Sequence, residues 1–278
     1  LKPSRGRMVD RPDVQRLPVQ IAAQGVLTRS VRDTARYFYE AEKLYANPSL
    51  PPIGDVRGPG GQRLRIGVFT RGWRDFPVSD ELVSLTNQTA EVCAALGHEM
   101  IELEHPTGAR FGPDFLNYWA LIASMYRLLG RQVLHRQFDA AAMDPLGVKL
   151  SSMAARHALA LPFSLRRLRA MAASHDEGFG DVDVVLSPTL SHEPPPVGYL
   201  GPDVDPFTHI VRLIRWITFT PLQNVSGRPA ISLPLGHSQT GLPLAVQLAG
   251  GFGQERHLLE LSYELEAAIG WPHVANAA

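Results

Sequence analysis

Cysteine is almost absent from this chain and lysine is scarce. Cys93 stands alone among 278 residues, so one chain can build neither a disulfide framework nor a cysteine-based metal site. Its neighbours Val92, Ala94, Ala95 and Leu96 place it on a buried helix face, where a thiol is inert. Of 27 basic residues only Lys2, Lys43 and Lys149 are lysines, and 27 acidic residues bring the net charge to zero. A chain without a one-signed field lacks the footprint of a nucleic-acid binder. No apolar run is long enough for a membrane-spanning helix, and no leader pattern opens the chain. These absences lead to the expectation of a soluble, cytoplasmic protein.

Several reaction motifs are missing too. No G-x-S-x-G elbow is present, since Val225-Ser226-Gly227 lacks the first glycine. Ser174-His175-Asp176 spells triad letters, yet successive helical residues point in different directions and cannot relay a proton. There is no H-E-x-x-H, and the ten histidines are scattered, so no metal site is expected. His192-Glu193 runs straight into three prolines. The glycines at 58–61 and 250–253 match no phosphate cradle. No cofactor is expected.

What the sequence does contain is alternation of helices and strands. Ser30 starts a helix with Val31, Ala35, Phe38 and Tyr45 on one face, and Asn47-Pro48 ends it. Residues 48–62 form a Pro/Gly linker. Residues 64–69 read as a buried strand, followed by a helix opened by Asp80-Glu81 with Leu82, Leu85, Thr89, Val92 and Leu96 inward. Gly97 stops that helix, and 98–103 is the next strand, which predicts a parallel β-α-β unit. From 105 to 180 the pattern is a helical insertion, with long helices over 114–138 and 164–179. Residues 181–189 read as a fully buried strand, and a Pro-rich loop at 192–202 is placed to cover a site. Arg212 and Arg215 flank Ile214 and Trp216, either as a membrane-facing patch or as a helix leading into a pocket wall with its arginines outward. Residues 254–271 close the chain as an amphipathic helix, with Leu258, Leu261, Leu265 and Ile269 inward and Gly270 as its stop. The fold class is α/β, a mixed and largely parallel sheet with helices on both faces, in one domain spanning 1–278.

The organising stretch is 217–251. An apolar approach leads into a turn holding Gln223, Asn224, Ser226, Gly227 and Pro229, then strands at 230–235 and 244–249. A turn at the rim of an α/β sheet is where ligands bind. Gln223 and Asn224 can offer amide donors and acceptors there; alternatively, Asn224 bonds its own turn.

The string N-x-x-G-x-P-A-I-S-x-P-x-G, followed by G-L-P-x-x-x-Q-L, resembles the C-terminal strand pair of the amidase-signature hydrolases. K-P-S-R-G-R at 2–7 resembles the family segment that follows its catalytic serine region, and 25–41 is similar to its G-P-L-A-R-S-V-R-D-T-A run. The resemblance implies hydrolysis of an amide C–N bond by a serine nucleophile, a second serine on a cis peptide and a lysine base. The Gly/Ser-rich segment carrying those groups is not found in 1–278. The catalytic residues are therefore expected before Leu1, and the chain is expected to be an N-terminally truncated amidase fold needing an N-terminal portion or another subunit as partner. The alternative is a catalytically silent binding or scaffold module. Substrate contacts are expected from Gln223, Asn224, Phe219 and Thr189, with Trp119 in the helical region, and the ligand is a small-molecule amide.

Overall fold

The computed structural model describes residues 1–173 and 180–271. In chain order, the single turn α1 (Pro12–Gln15) and helix α2 (Val31–Leu44) precede strand β1 (Arg65–Val68). Helix α3 (Asp80–Ala95) and β2 (Glu99–Glu102) follow, then α4 (Phe111–Val133), α5 (Pro145–Arg156) and α6 (Leu161–Ala173). After β3 (Val184–Pro188), α7 (Pro206–Trp216) and the short α8 (Pro221–Ser226) lead into β4 (Ala230–His237) and β5 (Pro243–Gly250). Helix α9 (Glu255–Ala268) ends the described chain.

The strands lie in the order β2-β1-β3-β5-β4. β1 runs parallel to β2 and β3, whereas β5 is antiparallel to β3 and β4. The sheet is mixed, and its parallel pairings are confined to one half. β4 is an edge, and among the described residues its outer side is paired only through the bridge between Lys2 and Ala230. Its register shifts between Leu233 and Gly236, around Pro234, which has no N–H to give to a ladder.

One face of the sheet presents Ile66, Val184, Leu186, Ile231, Leu233, Val246 and Leu248 to α3 and α9. Helix α3 buries Leu82, Thr86, Thr89 and Cys93, one residue rotated from the stripe expected at Leu82, Leu85, Thr89, Val92 and Leu96. The two threonines can be buried because their hydroxyls donate to the carbonyls of Leu82 and Leu85 one turn back. Leu85 and Val92 then sit at the margin of the stripe. On the opposite face Val185, Ala230 and Ala249 pack beneath Phe219 and Leu222.

Local signals mark several helix ends. Ser30 Oγ accepts from Asp33 N at 3.2 Å, as expected of an N-cap. Gly97 and Gly270 take the left-handed conformations expected of helix stops. Two boundaries differ. α2 ends at Leu44, so Tyr45 is an extended cap residue that is 41% exposed instead of part of the inner face. Ile269 is likewise a cap residue and 37% exposed. Of the helix expected over 164–179, α6 covers 161–173; Ser174, His175 and Asp176 lie outside the described residues. Among the described residues no helix is long and apolar enough to cross a membrane.

Candidate functional site

Residues 221–226 fold as the short helix α8 where a turn was expected. Pro221 supplies a preset first-turn φ, and Gly227 closes α8 in the left-handed conformation at φ 76°. Arg5 secures the C-terminal end: its guanidinium donates to the carbonyls of Asn224 (3.3 Å) and Val225 (2.6 Å), while its backbone N–H reaches Gly227 O at 2.8 Å. A cation on the last carbonyls of a helix is favourable for its dipole. Lys2 and Ala230 exchange backbone hydrogen bonds of 2.8 and 2.9 Å, so the first residues lie along β4 and against α8.

These elements enclose a cavity of about 420 Å³, within the range of small-molecule sites. Gln223, Asn224 and Thr220 line it from the α8 side, Gln247, Ser232 and Thr189 from the sheet, and Lys2 from the N-terminal segment. Gly25 forms part of the far wall; a Cβ there would lie 2.2 Å from the Leu1 carbonyl oxygen, so only glycine allows this close approach. Gln247 is opposite Ser232 on β4 and Ser187 on β3, which makes a polar row across an otherwise apolar face. Thr189 and Ser232 hydroxyls bond each other at 3.0 Å. Lys2 Nζ donates to Pro3 O at 3.0 Å, and burial, helped by the nearby Arg5 charge, pushes its amine down to about 7 against the opposing pull of Glu255 and Asp10. The cavity can bind and orient a polar ligand. Among its described residues no hydroxyl is hydrogen-bonded to a base.

Gln223, Asn224 and Thr189, expected from the sequence as ligand contacts, are thus brought together. Phe219 and Trp119 are not with them. Phe219 is 1% exposed and packs on Phe69 with ring centroids 5.8 Å apart, directly behind the α8 turn. Trp119 tilts onto Phe115 at 5.0 Å and lines a separate aromatic slot with Trp73, Phe111 and Ile214. Trp73 is anchored there by Thr218 Oγ1, which accepts its N–H at 2.8 Å, and by Gly108 O, which accepts from Nε1 at 3.2 Å. The adjoining residues Arg74 and Asp75 have φ of 52° and 57°, strained values for non-glycine residues. Thr218 and Pro221 line the slot and Thr220 lines the polar cavity, so the two spaces share one turn. The Pro-rich loop at 192–202 contributes nothing to the polar cavity; its Tyr199 lies beneath Arg212, 4.3 Å from guanidinium to ring centre. Arg215 stands over the Phe76 ring at 5.8 Å, and α7 is a helix beside the pockets.

Gln247 was not among the expected contacts. Its only signal was one amide letter inside the apolar run LAVQLA, and the strand register was needed to aim it at Gln223's side of the sheet.

Residues 1–259 match the family model described as Amidase. The chain is similar to "Putative amidase AmiC" of Mycobacterium leprae, 46% identical over 275 residues, covering 99% of this chain and 58% of that protein. It is also similar to 6-aminohexanoate-cyclic-dimer hydrolase of Pseudomonas sp., 30% identical over 297 residues, covering 98% of this chain and 59% of that protein. Among solved structures, 6-aminohexanoate cyclic dimer hydrolase complexed with substrate superposes with a TM-score of 0.81 at 24% identity, over 97% of this chain and 60% of that one. The chain therefore spans less than two thirds of the length of the curated relatives it matches.

Proposed function

Because this chain belongs to the amidase family, we propose that it forms the wall of a pocket in which the C–N bond of a carboxylic amide is hydrolysed. The nucleophilic serine, the bridging serine and the lysine base come from polypeptide outside residues 1–278, either preceding it or held by another subunit. In that arrangement a neutral lysine draws a proton through the bridging serine, the nucleophile attacks the amide carbonyl, and backbone N–H groups stabilise the oxyanion; the proton returns to the leaving amine as the C–N bond breaks, and water then releases the acid from the acyl-serine. The present residues bind and orient the substrate. No cofactor or metal enters the step.

The observation that carries this reading is the polar cavity beside edge strand β4. It is lined by side-chain amides and hydroxyls, and beyond the Lys2–Ala230 bridge no strand of the described residues pairs with β4's outer side. Gln223, Asn224 and Thr189 contact the amide. Phe219 acts from behind, by setting the α8 turn, and the Trp119 slot receives an apolar part of the substrate. One relative is named for a cyclic dimer of 6-aminohexanoate, so aliphatic amides of that kind are the first substrates to try.

The test is complementation. The purified, mass-verified 278-residue chain should release no ammonia or amine from simple alkyl and aryl amides. Adding the portion of the Mycobacterium leprae relative that this chain does not cover should restore hydrolysis. Turnover by the chain alone would overturn the division of labour. Assembly that binds amides without hydrolysing them would instead identify a silent binding module.

A further inference from the structure

Two glutamine amides at the polar cavity have hydrogen-bonding atoms of opposite kind without partners. Gln223 is 2% exposed and Gln247 5%. Gln223 Oε1 lacks a donor and Gln247 Nε2 lacks an acceptor among the described residues. Buried polar atoms are nearly always satisfied, and each exception asks for an explanation. Both residues line the same cavity, and the terminal torsion of glutamine is soft enough to turn either atom toward it. Among the described residues no neighbouring hydroxyl bonds either atom; Thr189 and Ser232 bond each other. The other buried atoms lacking partners, Ser79 Oγ and His105 Nε2, belong to residues that do not line this space.

We propose that Gln223 and Gln247 form a donor–acceptor pair that holds the substrate's amide group and restricts the substrate to amides that keep an N–H. The ligand carbonyl accepts from Gln247 Nε2, and the ligand N–H donates to Gln223 Oε1. Primary and secondary amides satisfy both atoms. A tertiary amide satisfies one and leaves Gln223 Oε1 buried without a donor, so the site selects against it. The proposal rests on the amide-hydrolase reading but concerns binding, and binding is measured without turnover.

The experiment uses the 278-residue chain labelled with ¹⁵N, the side-chain NH₂ signals of Gln223 and Gln247 being assigned by their loss in Gln223→Met and Gln247→Met. Benzamide, N-methylbenzamide and N,N-dimethylbenzamide are titrated in turn. The first two should shift both signals saturably, and the third should bind roughly tenfold more weakly, the effect of one buried group left unpaired. Gln223→Met should erase that preference, Gln247→Met should weaken all three amides alike and keep it, and each should raise the thermal midpoint, because it removes a buried unsatisfied atom. A purely structural role predicts the opposite, a lower midpoint with both amide affinity and amide selectivity retained in each variant. Equal binding of the three amides, or binding of none, overturns the pair, and neither result depends on a variant folding. Signals that shift on adding the uncovered portion of the relative and then ignore benzamide would assign the pair to the protein's own backbone, which also overturns it. Hydrolysis that persists in any of these cases leaves the amidase reading standing; a selective pair without hydrolysis on complementation rejects that reading alone.

Discussion

Replacing Arg7 by methionine should destabilise the chain more than any single surface change. Arg7 is 4% exposed and Glu255 is fully buried. Arg7 Nε and Nη2 donate to the two Glu255 oxygens at 3.1 and 2.8 Å. Its remaining N–H groups reach Pro51 O at 2.8 Å, Gly253 O at 3.2 Å and Glu42 Oε1 at 3.3 Å. Glu255 Oε1 also accepts from Ser4 N at 2.8 Å, and Ser4 Oγ accepts from Gly253 N at 2.8 Å. One guanidinium therefore ties the N-terminal segment to α9 and to the loop after α2. Removing one member of a buried pair leaves an uncompensated charge and costs about 3–5 kcal/mol, whereas replacing both is far milder. For a chain of this size that is a fall in thermal midpoint on the order of 10 °C. Arg7→Met combined with Glu255→Gln should recover much of the loss, because the glutamine carbonyl keeps the Ser4 bond and its NH₂ can use the vacated Gly253 carbonyl. Acid adds a second reading. Burial pushes the Glu255 carboxyl up, but the hydrogen bond and charge of Arg7, with the Ser4 N–H, outweigh it and hold the carboxyl below its usual range. Its folded value lies below the unfolded one, so its contribution is present above the ordinary glutamate pKa and disappears as pH falls through the folded value. Urea unfolding at pH 7 and at pH 3–4, run as a double-mutant cycle, measures both effects. A loss under 1 kcal/mol for Arg7→Met, or strictly additive single variants, would refute the reasoning.

Three further outcomes follow from buried groups elsewhere. Lys2, whose folded pKa is depressed to about 7, binds fewer protons folded than unfolded between there and its ordinary value. Stability should thus rise with pH across that window, and Lys2→Met should remove the slope; with only three lysines in the chain, NMR titration can follow Lys2 directly. Tyr118→Phe should cost about 1–3 kcal/mol and speed hydrogen exchange at Val19, since the phenol oxygen accepts from Val19 N at 3.0 Å and donates to Val19 O. Cys93, buried and with Glu264 nearby, has its thiol pushed up to about 12; a thiol reagent at pH 8 should label it only on unfolding, and rapid labelling of the native chain would contradict its placement.

How far the site could be read from the sequence differs residue by residue. Gln223, Asn224 and Thr189 stood out as polar letters at the ends of apolar runs, where a rim is expected, and they do share a cavity. Phe219, in the apolar approach to the turn, belongs to the packed layer beneath it, and Trp119, in the helical region, belongs to a slot across it. A hydrophobic residue does not announce which of two adjoining spaces it faces. Gln247 was the converse case: one amide inside a strand has no local feature distinguishing a ligand contact from a satisfied core group.

What the sequence determined alone was whatever depends on neighbours a few residues away. Ser30 caps because its hydroxyl reaches the N–H three residues on; Gly97 and Gly270 stop helices because they tolerate a left-handed backbone. The β-α-β order of 65–102 follows from the same local periodicities. Tertiary structure decided everything that requires distant segments to meet. It rotated the α3 stripe onto Thr86 and Cys93, and it pinned α8 with Arg5 from the other end of the chain. Through the antiparallel register of β5 it set Gln247 in the cavity with Gln223. Such pairings depend on register and on long-range hydrogen bonds, which no window of adjacent residues contains.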